Sequence, residues 1–306
     1  MKKFAVQVVI LVLAAAMVLS YTVICIAPFI ASPSKETTNP LPDNSNGQQG
    51  NTDEGNSGGS DIEGVTPPIL PDTPETSPAL PEDEEDEPIS EPEPKALYVR
   101  AKTNGLNLRS GPGTGYPSVG YIDKGDMVTF LAKEGNWYKT IYKNKTAYIS
   151  ANSTYTEIFE MELHANELVE KVIEEGLQLL GFPYVYGAIR LHDGAGNKIR
   201  NFDASKYDCS SLMQYIFYYG ANVNLNMTTR TQVTQGTHVA RSDLARGDLI
   251  FFTNSQRYNK TGVERIGHVA LYLGDNYILH TASDYAVIEQ ISTQRWSYYI
   301  ETRRFV

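Results

Sequence analysis

The chain has 306 residues, a net charge of −10 and only two cysteines, Cys25 and Cys209. The acidity is local: residues 32–95 carry −14, whereas residues 96–306 carry +2 and have no basic cluster, which argues against nucleic acid as a partner. The 211 residues from 96 onward are enough for one small and one medium domain.

Met1-Lys2-Lys3 precedes an almost wholly apolar run from Phe4 to Ala31, broken only by Gln7 and Ser20-Tyr21-Thr22. A signal-peptide core needs about 7–15 apolar residues and a membrane-spanning helix about 20. The length therefore predicts a transmembrane anchor over 1–31, with the lysines holding its start in the cytoplasm and the rest of the chain outside the membrane. The rival reading is a signal cleaved after Ala14-Ala15-Ala16, giving a secreted protein. Ile24, bulky and next to Cys25, argues against a lipid-attachment site.

Residues 32–95 hold 12 of the 16 prolines and almost no large apolar side chains. Such a composition cannot bury a core, and its like charges repel, so it predicts a disordered linker. The acidic run Glu82 to Glu87, between prolines, is expected to be extended. Fully stretched, the linker would reach on the order of 200 Å and would lift the folded part off the membrane. We read it as a passive spacer.

Residues 96–157 show short apolar stretches separated by turn signals. Leu106 to Arg109, Val119 to Ile122, Met127 to Ala132, Trp137 to Tyr142 and Thr146 to Ser150 are strand candidates, with Lys143-Asn144-Lys145 as a hairpin turn. Short strands at this spacing predict a small β-barrel. Asn107-Leu108-Arg109-Ser110-Gly111-Pro112, Lys124-Gly125-Asp126 and Gly135-Asn136-Trp137-Tyr138-Lys139 resemble the bacterial Src-homology-3-like domain. That resemblance implies binding of cell-wall peptide or shaping of a neighbouring active site. Ala147 stands where the family often has tryptophan, and Trp137 is expected in the core.

In residues 160–306, Leu168, Val169, Val172, Ile173, Leu177 and Leu180 recur at helical spacing, with Asn166 as cap and Gly181 at the end. A loop over 188–206 follows. Asp208-Cys209-Ser210-Ser211 opens a second helix, Leu212 to Tyr219, apolar nearly all round and stopped by Gly220. Asp248 to Thr253, His268 to Leu273, Tyr277 to Thr281, Ala286 to Ile291 and Tyr298 to Phe305 read as strands.

Cys209 has no intramolecular partner in a chain that reads as exported, where thiols are normally paired. A thiol attacks as the thiolate, and a helix N-terminus lowers its pKa. A histidine must then move the proton, and a third group must orient the ring. His268 and His280 lie on consecutive strands joined by Gly274-Asp275-Asn276. A three-residue loop sets Ala270 opposite His280 and places both histidines on one face; a two-residue loop would put them on opposite faces. Spacing alone leaves open an inert buried cysteine or a zinc site, although no Cys-x-x-Cys or His-x-x-x-His pair supports the latter.

Pro183-Tyr184-x-x-Gly187, Asp208-Cys209-Ser210-Ser211-Leu212, Arg246-Gly247-Asp248-Leu249-Ile250-Phe251-Phe252, Gly267 to Gly274 and Ile278-Leu279-His280 resemble the NlpC-type cell-wall peptidases. The resemblance covers nearly all of 160–306. It implies a papain-like α+β fold, no cofactor, and cleavage of peptidoglycan stem peptides by a D,L-endopeptidase, typically after D-isoglutamate. It implies Cys209 as nucleophile, His268 as base and His280 as orienting residue. Tyr184 would serve the oxyanion, Asp208 and Ser210 would contact substrate, and Thr229 lies near a substrate-contacting position. In relatives with a neighbouring Src-homology-3-like domain, the aspartate before the cysteine can hold a free alanine amine. Ser211 replaces a glycine usual after Asp-Cys-Ser. The alternatives are a muramoyl-L-alanine amidase and a catalytically silent wall-binding protein.

Overall fold

The computed structural model describes residues 94–306 except residue 283. The expected anchor over 1–31, and the expected linker up to residue 93, lie outside the described residues. Among the described residues, no helix is long and apolar enough to cross a membrane.

The first part of the described chain is all β: β1 (Lys95–Ala101), β2 (Leu106–Arg109), β3 (Ser118–Ile122), β4 (Met127–Thr129), β5 (Ala132–Glu134), β6 (Trp137–Tyr142), β7 (Lys145–Ser150) and β8 (Thr156–Glu162). Helix α1 (Glu167–Gln178), helix α2 (Cys209–Ala221) and the single turn α3 (Thr229–Gln232) come next. Strands β9 (Thr237–His238), β10 (Leu249–Phe252), β11 (His268–Gly274), β12 (Tyr277–Ala282) and β13 (Tyr285–Gln290) are followed by α4 (Thr293–Ser297) and β14 (Tyr299–Arg304). This is an α+β chain with a small all-β unit in front.

Three sequence expectations are corrected here. The stretch expected as one strand over 127–132 breaks at Phe130-Leu131 into β4 and β5, which belong to different sheets. The β unit is not a self-contained barrel. One five-stranded sheet runs β3-β2-β7-β6-β5, but β8, β1 and β4 continue into a nine-stranded sheet in the order β8-β1-β4-β13-β12-β11-β10-β14-β9. The junction is the antiparallel pairing of Met127 with Ile288. Lastly, Gly220 does not stop the second helix, which runs on to Ala221 and ends at Asn222 in the left-handed conformation, φ 56°. A Cβ on Gly220 would lie 2.5 Å from the Val172 Cα, so this glycine lets α1 and α2 touch backbone to backbone.

The β10–β13 part of the nine-stranded sheet is buried on both faces. Leu249, Phe251, Val269, Leu271, Leu273, Leu279 and Ile288 pack with Val169, Val172, Leu212, Met213, Ile216 and Phe217 of α1 and α2. The alternate residues Ile250, Phe252, Ala270 and Ile278 pack on the opposite face with Trp296, Tyr298 and Tyr299. Alternation along each strand produces this split. Each large side chain so buried contributes about 1.5–3 kcal/mol.

Polar ties also join the two parts. Arg246 donates from Nε and Nη2 to the two Glu170 carboxylate oxygens at 2.7 and 2.8 Å, from Nη2 to the Tyr98 hydroxyl at 3.1 Å, and from Nη1 to the Leu273 carbonyl at 2.6 Å. The two-residue turn Lys143-Asn144, with both φ positive, points its N–H groups at the Leu180 and Gln178 carbonyls at the end of α1. Helix ends leave such carbonyls without partners, so this hairpin acts as a cap. Trp137 is half-buried, lining a groove with Lys133, Asn136 and Ser150, and does not sit in the core.

Candidate active site

Cys209 is the first residue of α2. Asp208 has extended backbone and closes a capping box with Ser211. The Ser211 N–H donates to Asp208 Oδ1 at 2.9 Å, and the Asp208 N–H donates to Ser211 Oγ at 2.8 Å. Serine at 211 is thus the second half of the cap, which a glycine could not supply. The Cys209 sulfur lies against the backbone N–H groups of Val269 and Ser210. The resting thiol departs from expectation. Burial, and then the Asp208 carboxylate, push it up to about 12, against the pull of those N–H groups and of Arg190. The helix N-terminus does not make a standing thiolate here, so any attack by this sulfur would need a base to take its proton.

The histidines share one face of the β11–β12 hairpin. The turn has two residues, Asp275-Asn276, both with positive φ, and Gly274 pairs with Tyr277. By itself that turn would separate the histidines. A bulge between Tyr272 and Gly274 adds one residue, so that Leu271 pairs with Leu279 and His280 falls opposite Ala270. His268 Nε2 then meets His280 Nδ1 at 2.8 Å, on the face that carries Phe252 and Ile278. The Val269 N–H that meets the Cys209 sulfur belongs to the residue next to His268, and Nδ1 is the His268 ring nitrogen not engaged with His280.

Two residues behind His280 were not anticipated. Ile278 pairs with Glu289, so Glu289 is the diagonal neighbour of His280 on the same face. Its Oε1 is 3.0 Å from His280 Nε2 and accepts from Arg295 Nη2 at 2.8 Å. His280 Nε2 has no hydrogen-bond partner of good angle, and Glu289 Oε1 is its ion-pair contact. Burial pushes the Glu289 carboxyl up, but His280 and Arg295 outweigh it and hold it at about 2. An ionised Glu289 favours the proton on His280 Nε2, which leaves Nδ1 to accept from His268 Nε2–H. His268 Nδ1 is then bare and able to take the thiol proton. Burial, then the charges of His280 and Arg295, hold the His268 pKa well below 6.5. A charged residue within a strand otherwise facing the core was the one available signal for Glu289; without the β12–β13 register, it could not be assigned a face.

Tyr184 runs beside this helix start. It bridges Tyr207 in parallel and donates its N–H to the Asp284 carbonyl at 2.8 Å. Burial and the neighbouring Cys209 and Asp208 raise its phenol pKa, so it stays a proton donor. Asp208 and Ser210 are brought next to Cys209, but both are buried and both bind Arg190. Arg190 Nη1 is 2.8 Å from Asp208 Oδ2, and Nη2 donates to Ser210 Oγ at 2.9 Å. Arg190 sits in the 188–206 loop, where no periodicity marks it. Thr229, the first residue of α3, is buried near the same place. Gln232 clips that turn to the helix start by donating to the Ser210 carbonyl at 2.9 Å. Among the described residues no cluster of three His, Cys, Asp or Glu could hold a metal ion.

Residues 181–304 match the NlpC/P60 family, and residues 104–155 match the bacterial SH3 domain. The chain is 28% identical over 181 residues to the gamma-DL-glutamyl hydrolase of Bacillus subtilis, covering 58% of this chain and 38% of that protein. It is 30% identical over 131 residues to the peptidoglycan DL-endopeptidase CwlO of Bacillus licheniformis, covering 42% of this chain and 26% of that protein. It thus spans well under half the length of either relative. An NlpC/P60 family protein of Bacillus cereus, known from its crystal structure, aligns with 69% of this chain and 63% of its own at a TM-score of 0.36 and 21% identity.

Proposed function

We propose that this chain, in which an NlpC/P60 domain follows a bacterial SH3 domain, is a peptidoglycan hydrolase that cuts stem peptides after D-isoglutamate as a cysteine D,L-endopeptidase. The observation that carries the reading is the ordered line of groups from His268 through His280 to Glu289, with the Cys209 sulfur set against the N–H of Val269, the residue next to His268. In this reading the Cys209 sulfur attacks the scissile carbonyl while its proton passes to His268 Nδ1. The tetrahedral oxyanion is met by the Tyr184 hydroxyl and the Cys209 backbone N–H. Collapse breaks the C–N bond, and His268 returns the proton to the leaving amine. Water, deprotonated by the same ring, then hydrolyses the thioester.

The anchor and linker fit an enzyme tethered to the outer face of a bacterial membrane and reaching into the wall; signal cleavage would make it secreted. The β unit, sharing the catalytic sheet, supports a role in shaping the cleft. The test is digestion of purified peptidoglycan followed by mass spectrometry of the fragments. New termini at D-isoglutamate and at the third, diamino residue are expected. Release of intact stems from muramic acid would make it an amidase, and no release would favour a silent wall-binding protein.

A further inference from the structure

Resting on that reading, we infer that Arg190 makes the subsite beside Cys209 refuse a free α-amine, so that the substrates are stem peptides whose N-terminus is amide-linked, as it is on glycan. A carboxylate one residue from the nucleophile would ordinarily recognise an ammonium group. Here its accepting positions are already filled. Asp208 Oδ1 takes the Ser211 N–H and the Ser210 hydroxyl at 2.9 and 3.0 Å. Oδ2 takes the Gly187 N–H at 3.2 Å and Arg190 at 2.8 Å. The pair is largely desolvated, with side-chain exposures of 12% for Arg190 and 6% for Asp208.

The guanidinium is itself held firmly. Nε donates to the Met227 carbonyl and Nη1 to the Ala188 carbonyl, in addition to the contacts with Asp208 and Ser210. An incoming ammonium would therefore meet a fixed like charge and find no acceptor on Asp208; repulsion of this kind is an efficient way to reject a ligand. The surroundings favour the uncharged alternative. Val185, Tyr186 and Ile189, which precede Arg190 in the chain, and Met227, whose carbonyl it binds, all have exposed apolar or aromatic side chains, and Tyr186 is 85% exposed. An acylated terminus brings no charge to this rim, and a tyrosine ring offers a face to a sugar.

The test uses the full chain and two stem tetrapeptides, one with a free and one with an acetylated N-terminus, each made with lysine and with diaminopimelate at the third position, alongside purified wall. The wild type should cut the acetylated peptide with a kcat/KM at least about tenfold higher, which corresponds to about 1.4 kcal/mol. Arg190→Lys keeps the positive charge and should keep the preference; Arg190→Gln should shrink or reverse it. Equal rates, or a preference for the free amine, by the wild type would overturn the inference without any variant having to fold. Cleavage of wall but of neither peptide would overturn charge as the determinant. Cleavage of nothing would instead remove the hydrolase reading on which the inference rests.

Discussion

His268 can accept a proton only while its ring is neutral and its Nδ1 is bare, and both conditions depend on neighbours. The proposed mechanism makes this ring the base, so His268→Ala should lower kcat by about 10²–10⁴-fold. His280→Ala removes only the group that orients the ring, and water can stand in for it, so the loss should be at least about tenfold smaller. Steady-state kinetics on one peptide substrate checks the order; equal losses would make His280 more than an orienting group. The pH dependence follows from the same residues. Burial, then the charges of His280 and Arg295, place the His268 pKa well below 6.5. Below that pKa the ring is protonated and cannot accept, and above it the base is ready. kcat/KM should therefore hold as pH falls through 6.5 and drop only in more acidic solution. With the Cys209 thiol pushed up to about 12, alkylation by iodoacetamide should keep rising through pH 9 and show no plateau near neutrality. A plateau at neutral pH would mean a standing thiolate.

At the scale of elements, the contact between α1 and α2 sets where the Cys209 helix lies, and Gly220 allows it. Gly220→Ala should cost about 1–3 kcal/mol in a denaturant titration, because the new methyl has only the Val172 backbone to meet. An unchanged midpoint would show that the helices part freely. Reading Gly220 as a helix stop shows what sequence could and could not supply. Periodicity and the Asn166 cap were enough to identify α1, and the Asp208 cap was enough to mark the start of α2. A glycine inside a helix looks the same in sequence whether it ends the helix or faces a neighbour. The histidine hairpin was legible in part. Gly274-Asp275-Asn276 announced a turn, but turn length and bulge act together on the register, and only their sum puts His268 and His280 on one face. Cys209, His268 and His280 carried recognisable neighbours, whereas Arg190 and Glu289 reach the site across 18 and 9 residues, respectively, from the motifs they serve, through contacts no local pattern encodes.

For the whole molecule, the joined sheet is the feature that sequence concealed. β1 and β8, neither expected as a strand, add to β4 in the order β8-β1-β4 and extend the sheet that carries the histidines into the SH3-like part. Arg246 gathers Glu170, Tyr98 and Leu273 at this seam, with its side chain 6% exposed. Arg246→Ala would leave the Glu170 carboxylate without its partner and should cost about 3–5 kcal/mol. Thermal unfolding should also remain a single transition reported alike by both parts, since they share one sheet. Two separate transitions in the wild type would show that the parts fold independently.

The central claim is that Cys209 is the nucleophile, and replacing its sulfur tests it most directly. Cys209→Ala keeps the first turn of α2, the Asp208–Ser211 cap and the Arg190 pair, and removes only the attacking atom. The full-length variant, incubated with purified peptidoglycan, should release no fragments above a protein-free control while giving the circular dichroism spectrum of the wild type. Release near the wild-type rate with that same spectrum would contradict the account, as would wild-type activity that disappears with a chelator and returns with zinc.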